Sequence, residues 1–230
     1  MKILSVNVSM GREISYMGKK LKTGIFKEPV QRRVMLRRLN LDGDAQSDLT
    51  NHGGVYKAVY VYSFENYEFW QNQLHRDRFS FGQFGENFTV REMLEDEVHI
   101  GDVFRVGGAK VEVTQPRVPC YKLGFKMGLA EFPKMFLASG RVGFLLRVLE
   151  EGEVGEGDSF ERITAGPGKM TVRAISHLLY FDPENLEDAR RALLIPALSP
   201  GWRGSFEKRL EQAAAKAESS RGTGTSCCGS

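Results

Sequence analysis

Apolar and polar residues alternate through most of the first 165 positions of the chain, which is the pattern of half-buried β-strands. Residues 3–8 and 142–149 are two such stretches, and Gly107-Gly108 joins two more as a tight hairpin. We therefore predict a mainly β domain over residues 1–165. Its sheet is expected to close as a β-barrel with peripheral helices.

Two segments of this domain have a helical pattern instead. Ser63 is a suitable N-cap, and Phe64, Tyr67 and Trp70 after it share one face of a helix. We interpret these aromatic residues as part of the core and not as a ligand cage. A second, shorter helix is expected over about residues 131–138.

The hydrophobic period becomes helical beyond a boundary rich in glycine and proline. Three short amphipathic helices are expected within residues 170–212. The pairs Asp182-Pro183 and Ser199-Pro200 place a capping residue before a proline, which is typical of the first position of a helix. The sequence thus predicts a small three-helix unit beside the β domain.

Composition narrows the class of protein. The 230 residues are 41% hydrophobic and 27% charged, enough for one substantial core and a small added unit. A net charge of +3 does not favour nucleic acid, and no apolar run resembles a signal peptide or a membrane span. We expect a cytoplasmic protein without membrane or nucleic-acid partners.

The end of the chain differs from the rest in composition. Residues 213–230 are rich in alanine, serine, glycine and threonine, so we expect a disordered tail. The tail holds two of the three cysteines, Cys227 and Cys228. Three cysteines are too few for a disulfide framework or a four-thiolate iron–sulfur cluster.

The remaining cysteine lies in residues 115–123, QPRVPCYKL. Two prolines before Cys120 fix backbone φ angles and stiffen the loop. Arg117 and Lys122 flank the sulfur, and nearby cations stabilise the thiolate that attacks electrophiles or binds metals. An inert core cysteine is the alternative interpretation.

A long polar loop ends in His52-Gly53-Gly54, where an imidazole stands beside two residues that allow close approach of a ligand to the backbone. A simple turn is the alternative. Lys57 and Arg141 could bind an anionic ligand, or they could be solvated surface charges.

Taken together, these motifs resemble the MOSC family, the domain found at the C-terminus of molybdenum cofactor sulfurases. The matching stretches are residues 115–123, His52-Gly-Gly-x-x-Lys57, Gly85-Glu86-Asn87 and Asp44-x-Gln46, in that family's order and spacing. Within the family, the chain resembles the YiiM-like branch, in which a three-helix (3-alpha) unit follows the MOSC barrel. The resemblance covers about residues 1–212.

The resemblance implies a molybdenum cofactor, a molybdopterin whose metal is ligated by Cys120 as the catalytic residue. It also implies reduction of N-hydroxylated substrates such as hydroxylaminopurines and amidoximes. A soft thiolate suits molybdenum held by dithiolene sulfurs, and cations and backbone N–H groups suit the pterin phosphate. The expected cofactor-binding residues, several of them converging with Cys120 at one mouth of the barrel, are His52, Gly53, Gly54, Lys57, Glu86, Asn87, Arg117, Lys122 and Arg141.

Reduction of an N–O bond needs two electrons, and the sequence has no dinucleotide-binding GxGxxG after a strand. An external flavin or iron–sulfur reductase is therefore expected as a partner, docking on the three-helix unit and tail. Two alternatives stay open: a molybdenum cofactor binding or carrier protein without turnover, and a thiol hydrolase or transferase with Cys120 as nucleophile and His52 as base.

Overall fold

A computed structural model describes residues 1–16, 18–45 and 53–222. Within these ranges the backbone forms twelve strands, six α-helices and one short 3₁₀-helix, Val55–Lys57. The helices are α1 (Phe64–Leu74), α2 (Tyr121–Met127), α3 (Phe132–Ala138), α4 (Val172–Tyr180), α5 (Leu186–Leu193) and α6 (Pro200–Gly222). The strands are β1 (Lys2–Val8), β2 (Arg12–Tyr16), β3 (Lys19–Thr23), β4 (Glu28–Pro29), β5 (Val34–Leu36), β6 (Val59–Ser63), β7 (Phe88–Arg91), β8 (Val103–Val106), β9 (Ala109–Pro116), β10 (Phe144–Glu150), β11 (Gly152–Val154) and β12 (Phe160–Thr164).

Eight of these strands form one mixed sheet in the order β12-β8-β9-β10-β6-β7-β1-β4. The hairpin predicted at Gly107-Gly108 is confirmed as the antiparallel pair β8 and β9. Strands β6 and β7 are parallel, with α1 in the crossover connection that a parallel pair requires. Two small ribbons, β2 with β3 and β5 with β11, lie outside the main sheet.

The prediction of a closed barrel is wrong for the described chain. The sheet curls until Lys2 of β1 forms an isolated bridge with Ser159, just before β12. No continuous ladder follows among the described strands, because the far half of the same edge of β1 pairs with the two-residue strand β4. The result is an open, curled sheet with helices around it, so a mainly β chain is supported only in part.

The buried side chains form two clusters of different composition. The first is largely aliphatic and runs without interruption from the sheet into α4, α5 and α6. The second is largely aromatic and is shared by α1, α2 and α3, and it includes the buried rings of Tyr67 and Trp70. Phe64 packs against it. The interpretation of these three residues as core is confirmed.

The three helices expected after residue 170 are present, with one difference in position. The first helix, α4, begins at Val172 after its cap Thr171, and α6 begins at Pro200, as predicted for Ser199-Pro200. The second helix, α5, begins at Leu186 instead of Pro183, because Asn185 provides the cap through a hydrogen bond from a first-turn N–H at 3.0 Å.

Two arginines of α6 hold the helical unit together. Arg203 donates to the carbonyls of Leu193 (2.6 Å) and Ile195 (2.8 Å) at the end of α5. Arg209 donates to Leu179 O (2.7 Å) near the end of α4. Carbonyls at helix C-termini have no intrahelical partner, so these side chains satisfy them and fix the angle between the helices.

The expected disorder from residue 213 is wrong as far as Gly222, because α6 continues to that residue. The stretch 211–218, EQAAAKAE, consists of good helix formers, and their intrinsic propensity outweighs the lack of apolar residues. Residues 223–230, with both tail cysteines, lie outside the described ranges. No helix within those ranges is long and apolar enough to cross a membrane.

Candidate functional site

A cavity of about 670 Å³ opens between the end of β9, the 3₁₀-helix and the helical unit. Its volume lies within the usual range for small-molecule and cofactor sites, about 300–1,000 Å³. Its lining includes seven of the residues that the sequence analysis selected: Gly53, Gly54, Lys57, Asn87, Arg117, Cys120 and Lys122. His52 lies outside the described residues, so its place stays a prediction.

Cys120 stands at the junction between the proline-containing loop and α2. It is the N-cap residue of α2, with an extended backbone (φ −124°, ψ 169°), and its side chain is half-buried at the cavity. The main-chain N–H of Arg117 donates to Gly143 O (3.2 Å), which fastens the loop beside β10. The sequence analysis did not predict α2, although Gly128 in the left-handed conformation ends it in the usual way.

Gly53, Gly54 and Lys57 line the cavity just before and within the 3₁₀-helix. Gly54 has φ +97°, a conformation that favours glycine, and a Cβ built on it would meet no atom within 4 Å. The N–H of Lys57 donates to Gly54 O (2.9 Å), which starts the 3₁₀-helix. The backbone here is thus open to a ligand.

The charged residues of the lining are mainly cations. The guanidinium of Arg117 lies 5.1 Å from the ring centre of Tyr60 and 5.8 Å from that of Phe136. Lys57 and Lys122 complete the set of predicted cations at the cavity. Because the aromatic faces attract and orient the guanidinium, Arg117 is held in position at the cavity.

A buried ion pair that the sequence analysis missed also lines the cavity. Lys27 Nζ lies 2.5 Å from Asp44 Oδ1, and Asn87 Nδ2 donates to Asp44 Oδ2 (3.0 Å). Burial lowers the pKa of Lys27, against the raising effect of Asp44. Nothing around Lys27 in the sequence distinguishes it from a surface lysine, so its position could come only from the fold.

Two of the predicted cofactor-binding residues do not line the cavity. Glu86 is fully buried and accepts hydrogen bonds from Gly82 N (2.9 Å) and Phe84 N (3.0 Å), and burial raises its pKa. Arg141 donates to Asn66 Oδ1 (2.9 Å). Both side chains have partners within the fold, and these contacts give them a structural role.

The helical unit supplies the other wall of the same cavity, which the sequence did not indicate. Tyr180 from the end of α4 and Ser199, Trp202 and Ser205 at the start of α6 all line it. The main-chain N–H of Ser199 donates to Thr114 O (3.3 Å) on β9. The unit is therefore part of the site and not a satellite beside it.

Unsatisfied polar atoms mark this cavity. Within the described chain, four buried side-chain nitrogen or oxygen atoms have no hydrogen-bond partner. Three of them, Gln115 Oε1, Arg117 Nη1 and Ser199 Oγ, belong to residues that line the cavity. Since buried polar groups are nearly always hydrogen-bonded, this concentration indicates a polar ligand.

Comparison with known proteins agrees with this geometry. Residues 48–161 match the model of the MOSC domain, and residues 170–213 match that of the YiiM-like, 3-alpha helix domain. The chain belongs to the MOSC family, as its motifs predicted.

Individual relatives extend over nearly the whole chain. YflK of Bacillus subtilis (strain 168) is 44% identical over 210 residues, 91% of this chain and 95% of YflK. YiiM of Escherichia coli (strain K12) is 31% identical over 189 residues, 81% of this chain and 84% of YiiM. The crystal structure of YiiM from Geobacillus stearothermophilus has a TM-score of 0.77 at 33% identity, covering 91% of this chain and 98% of that chain.

A more distant relative is a longer protein that matches this chain over part of its length. A Gibberella moniliformis (strain M3125 / FGSC 7600) protein named Reductase is 28% identical over 166 residues. The match covers 71% of this chain but 29% of that protein.

Proposed function

We propose that the cavity binds a molybdenum cofactor and that the chain reduces N-hydroxylated compounds with electrons from an external reductase. One observation carries the proposal: a single cavity of about 670 Å³ brings the Cys120 thiol together with Lys57, Arg117 and Lys122. Arg117, Cys120 and Lys122 come from one stretch of the chain, and Lys57 comes from a separate one. The MOSC family is associated with this cofactor, which supports the assignment.

The residues fit the chemistry of such a group. A molybdopterin carries a phosphate, which suits the cations and the open backbone at Gly54. The Arg117 Nη1 atom is buried without a partner and can donate to a phosphate oxygen or to the pterin ring. Cys120 offers the soft sulfur ligand that molybdenum accepts.

Each part of the chain then has a distinct task. Cys120 ligates the metal, and the proline-containing loop fixes the direction of its sulfur. Arg117, Lys57 and Lys122 hold the anionic end of the cofactor, and the helical wall keeps bulk water from the reacting atoms. When bound, the cofactor supplies the two-electron chemistry that breaks the N–O bond, with two protons taken up and the oxygen leaving as water.

The electrons come from another protein in this proposal, a flavin or iron–sulfur reductase. A relative named Reductase, in which the matching region is 29% of the chain, supports an oxidoreductase role for such a domain. Hydroxylaminopurines and amidoximes are the proposed substrates, because both carry an N–O bond on a planar, polar framework.

The test is to express the chain in cells that make the cofactor and in cells that do not. We expect about one molybdenum and one pterin per chain in the first sample only. We also expect conversion of benzamidoxime to benzamidine with reduced methyl viologen as electron donor. Cofactor without turnover would favour the carrier alternative, and acylation of Cys120 without molybdenum would favour the thiol enzyme.

A further inference from the structure

The part of the cavity where β9 meets the helical unit contains two buried polar atoms, one from each element. Ser199 is 3% exposed and Gln115 is 4% exposed. Within the described chain, neither Ser199 Oγ nor Gln115 Oε1 has a hydrogen-bond partner. Two such side chains in one lining point to a ligand that completes their hydrogen bonds.

The fold places these two residues side by side. The N–H of Ser199 donates to the carbonyl of Thr114 (3.3 Å), the residue before Gln115 on β9. The Thr114 hydroxyl is already used, because it donates to Tyr56 O (2.7 Å). The Gln115 amide nitrogen donates to Pro116 O (3.4 Å), which leaves the amide oxygen as the available acceptor.

An aromatic pair stands on the same wall. Trp202 is 5% exposed, and its ring meets that of Tyr180 edge to face, with centroids 6.0 Å apart and planes at 87°. Tyr180 is 38% exposed and lines the cavity. A partly exposed ring held by a buried one provides a fixed surface for a planar ring to stack on.

The required ligand chemistry follows from these groups. The Gln115 Oε1 atom accepts but cannot donate, so its partner must carry an N–H or O–H. The Ser199 hydroxyl both donates and accepts. None of the four side chains, Gln115, Ser199, Tyr180 and Trp202, is charged. This wall therefore suits a neutral, planar molecule with an N–H group at its edge, whereas the cationic wall suits an anion.

We propose that Gln115, Ser199 and Tyr180 form the substrate-recognition subsite, which selects planar N-hydroxylated compounds that carry an N–H donor beside the N–O group. The selection of substrate rests on the proposed function. The existence of the subsite rests on its own geometry, and the two are tested separately.

The kinetic test uses two substrates that differ in one group. Benzamidoxime has an amino group beside its oxime, and benzaldoxime has hydrogen there. With the holoenzyme and reduced methyl viologen, we expect Ser199→Ala and Gln115→Met each to raise KM for benzamidoxime about tenfold, the effect of one lost hydrogen bond. KM for benzaldoxime is expected to stay within about twofold.

Ser205→Ala is the matched control. Ser205 also lines the cavity, but its hydroxyl already donates to Gly201 O (3.0 Å) within α6. We expect this variant to change neither KM by more than about twofold. If Ser199→Ala and Gln115→Met kept the parent's ratio of KM for benzamidoxime to KM for benzaldoxime, the proposal would be overturned. Loss of molybdenum from Ser199→Ala or Gln115→Met would also overturn it, because the two atoms would then hold the cofactor.

A binding measurement gives a readout that needs no turnover. The chain has two tryptophans, and Trp202 lies at the subsite, so benzamide is expected to change the tryptophan fluorescence on titration. Ser199→Ala and Gln115→Met should weaken benzamide binding about tenfold and Ser205→Ala should not. If the parent protein lacked molybdenum, the proposed function would fail while this pattern would uphold the subsite. Equal benzamide affinity in all four proteins, or no binding by any, would overturn the subsite.

Discussion

The two walls of the cavity are built in different ways. The sheet-side wall carries a thiol and cations: Arg117, Cys120 and Lys122 lie between the end of β9 and the first turn of α2, and Lys57 ends the 3₁₀-helix before β6. The helix-side wall is uncharged and consists of Tyr180, Ser199 and Trp202, from the end of one helix and the start of another. The thiol and the charged groups thus lie on one side of the cavity, and uncharged packing surfaces lie on the other. This arrangement suits a site that holds a reactive cofactor and selects a substrate.

The walls also differ in what holds them. Main-chain hydrogen bonds hold the sheet-side residues: the N–H of Lys57 donates to Gly54 O in its own turn, and the N–H of Arg117 donates to Gly143 O beside β10. The helix-side residues depend on long-range packing, since α4, α5 and α6 share one aliphatic core with the sheet. Asp102, fully buried near β8, also accepts from Gly166 N (2.8 Å) in the segment that leads to α4. The helical wall therefore depends on the sheet for its position.

The largest expected effect is on the sheet-side wall, at the thiol. Cys120→Ala should lower kcat for benzamidoxime by at least about 10³-fold, because the metal loses its protein ligand while a half-buried loop residue contributes little to stability. Cys120→Ser should lower it as well, since an alkoxide is a poorer ligand for a soft metal centre. Full activity of either variant, with an unchanged melting temperature, would remove Cys120 from the mechanism.

The next effect is on the helix-side wall. Phe206 of α6 is fully buried in the core that the helical unit shares with the sheet. Phe206→Ala should lower the free energy of unfolding of the whole chain by about 3–5 kcal/mol in urea denaturation. Leu194→Ala, at a residue 79% exposed, should cost less than about 0.5 kcal/mol.

If urea unfolded the helical unit of Phe206→Ala first, while the sheet still unfolded cooperatively in a separate transition, the shared core would be contradicted. Removal of residues 170–230 is expected to abolish cofactor binding too, because it opens one side of the cavity. A truncated chain that kept its molybdenum would show that the helical unit is not needed to hold the cofactor.

The difference between the walls explains what the sequence could predict. The thiol, its flanking cations and the glycine turn lie within short stretches, and local patterns and the family resemblance identify them. The hairpin at Gly107-Gly108 and the cap at Thr171 were predictable for the same reason. In each case the signal comes from neighbouring residues.

Residues placed by tertiary contacts gave no such signal. Ser199 has the pattern of a helix cap, and its position in the cavity depends on a hydrogen bond to Thr114, 85 positions earlier in the chain. Lys27 lines the cavity beside Asp44, its partner 17 positions later in the chain. Conversely, Glu86 and Arg141 were expected to bind the cofactor, but neither lines the cavity. The sequence also did not show that the sheet stays open, because this depends on which segments pair with the edge of β1.

A buried lysine of α2 gives a prediction of pH dependence. Lys126 of α2 donates to Ile25 O (2.9 Å) and Gly82 O (2.5 Å), and burial lowers its pKa from 10.5 to about 8. Between these pKa values the unfolded chain binds more protons than the folded chain, so this residue makes stability rise with pH. The rise is about 3 kcal/mol at most across the interval.

Lys126→Met removes the titrating group and should remove its contribution to the increase of the free energy of unfolding with pH. Urea denaturation at pH 8, 9 and 10 is the measurement. The parent should gain stability relative to the variant as pH increases over that range. A parallel pH dependence in the two proteins would show that the lysine is not titrating there.

The smallest effects come from a matched pair of arginines that separates the cavity from the surrounding fold. Arg117 lines the cavity with a buried, unpartnered Nη1 atom, whereas Arg141 donates to Asn66 and lies with its guanidinium 4.5 Å from the ring centre of Phe69. Arg117→Gln should raise the Kd for the cofactor about tenfold, because one charge-assisted hydrogen bond is lost. Arg141→Gln should leave that Kd within about twofold and cost roughly 1 kcal/mol of stability. Molybdenum content under limiting cofactor supply, measured beside the melting temperature, distinguishes them. If Arg141→Gln lost cofactor as readily as Arg117→Gln, Arg141 would be a binding residue as the sequence analysis expected, and the boundary of the site drawn from the structure would have to include α1.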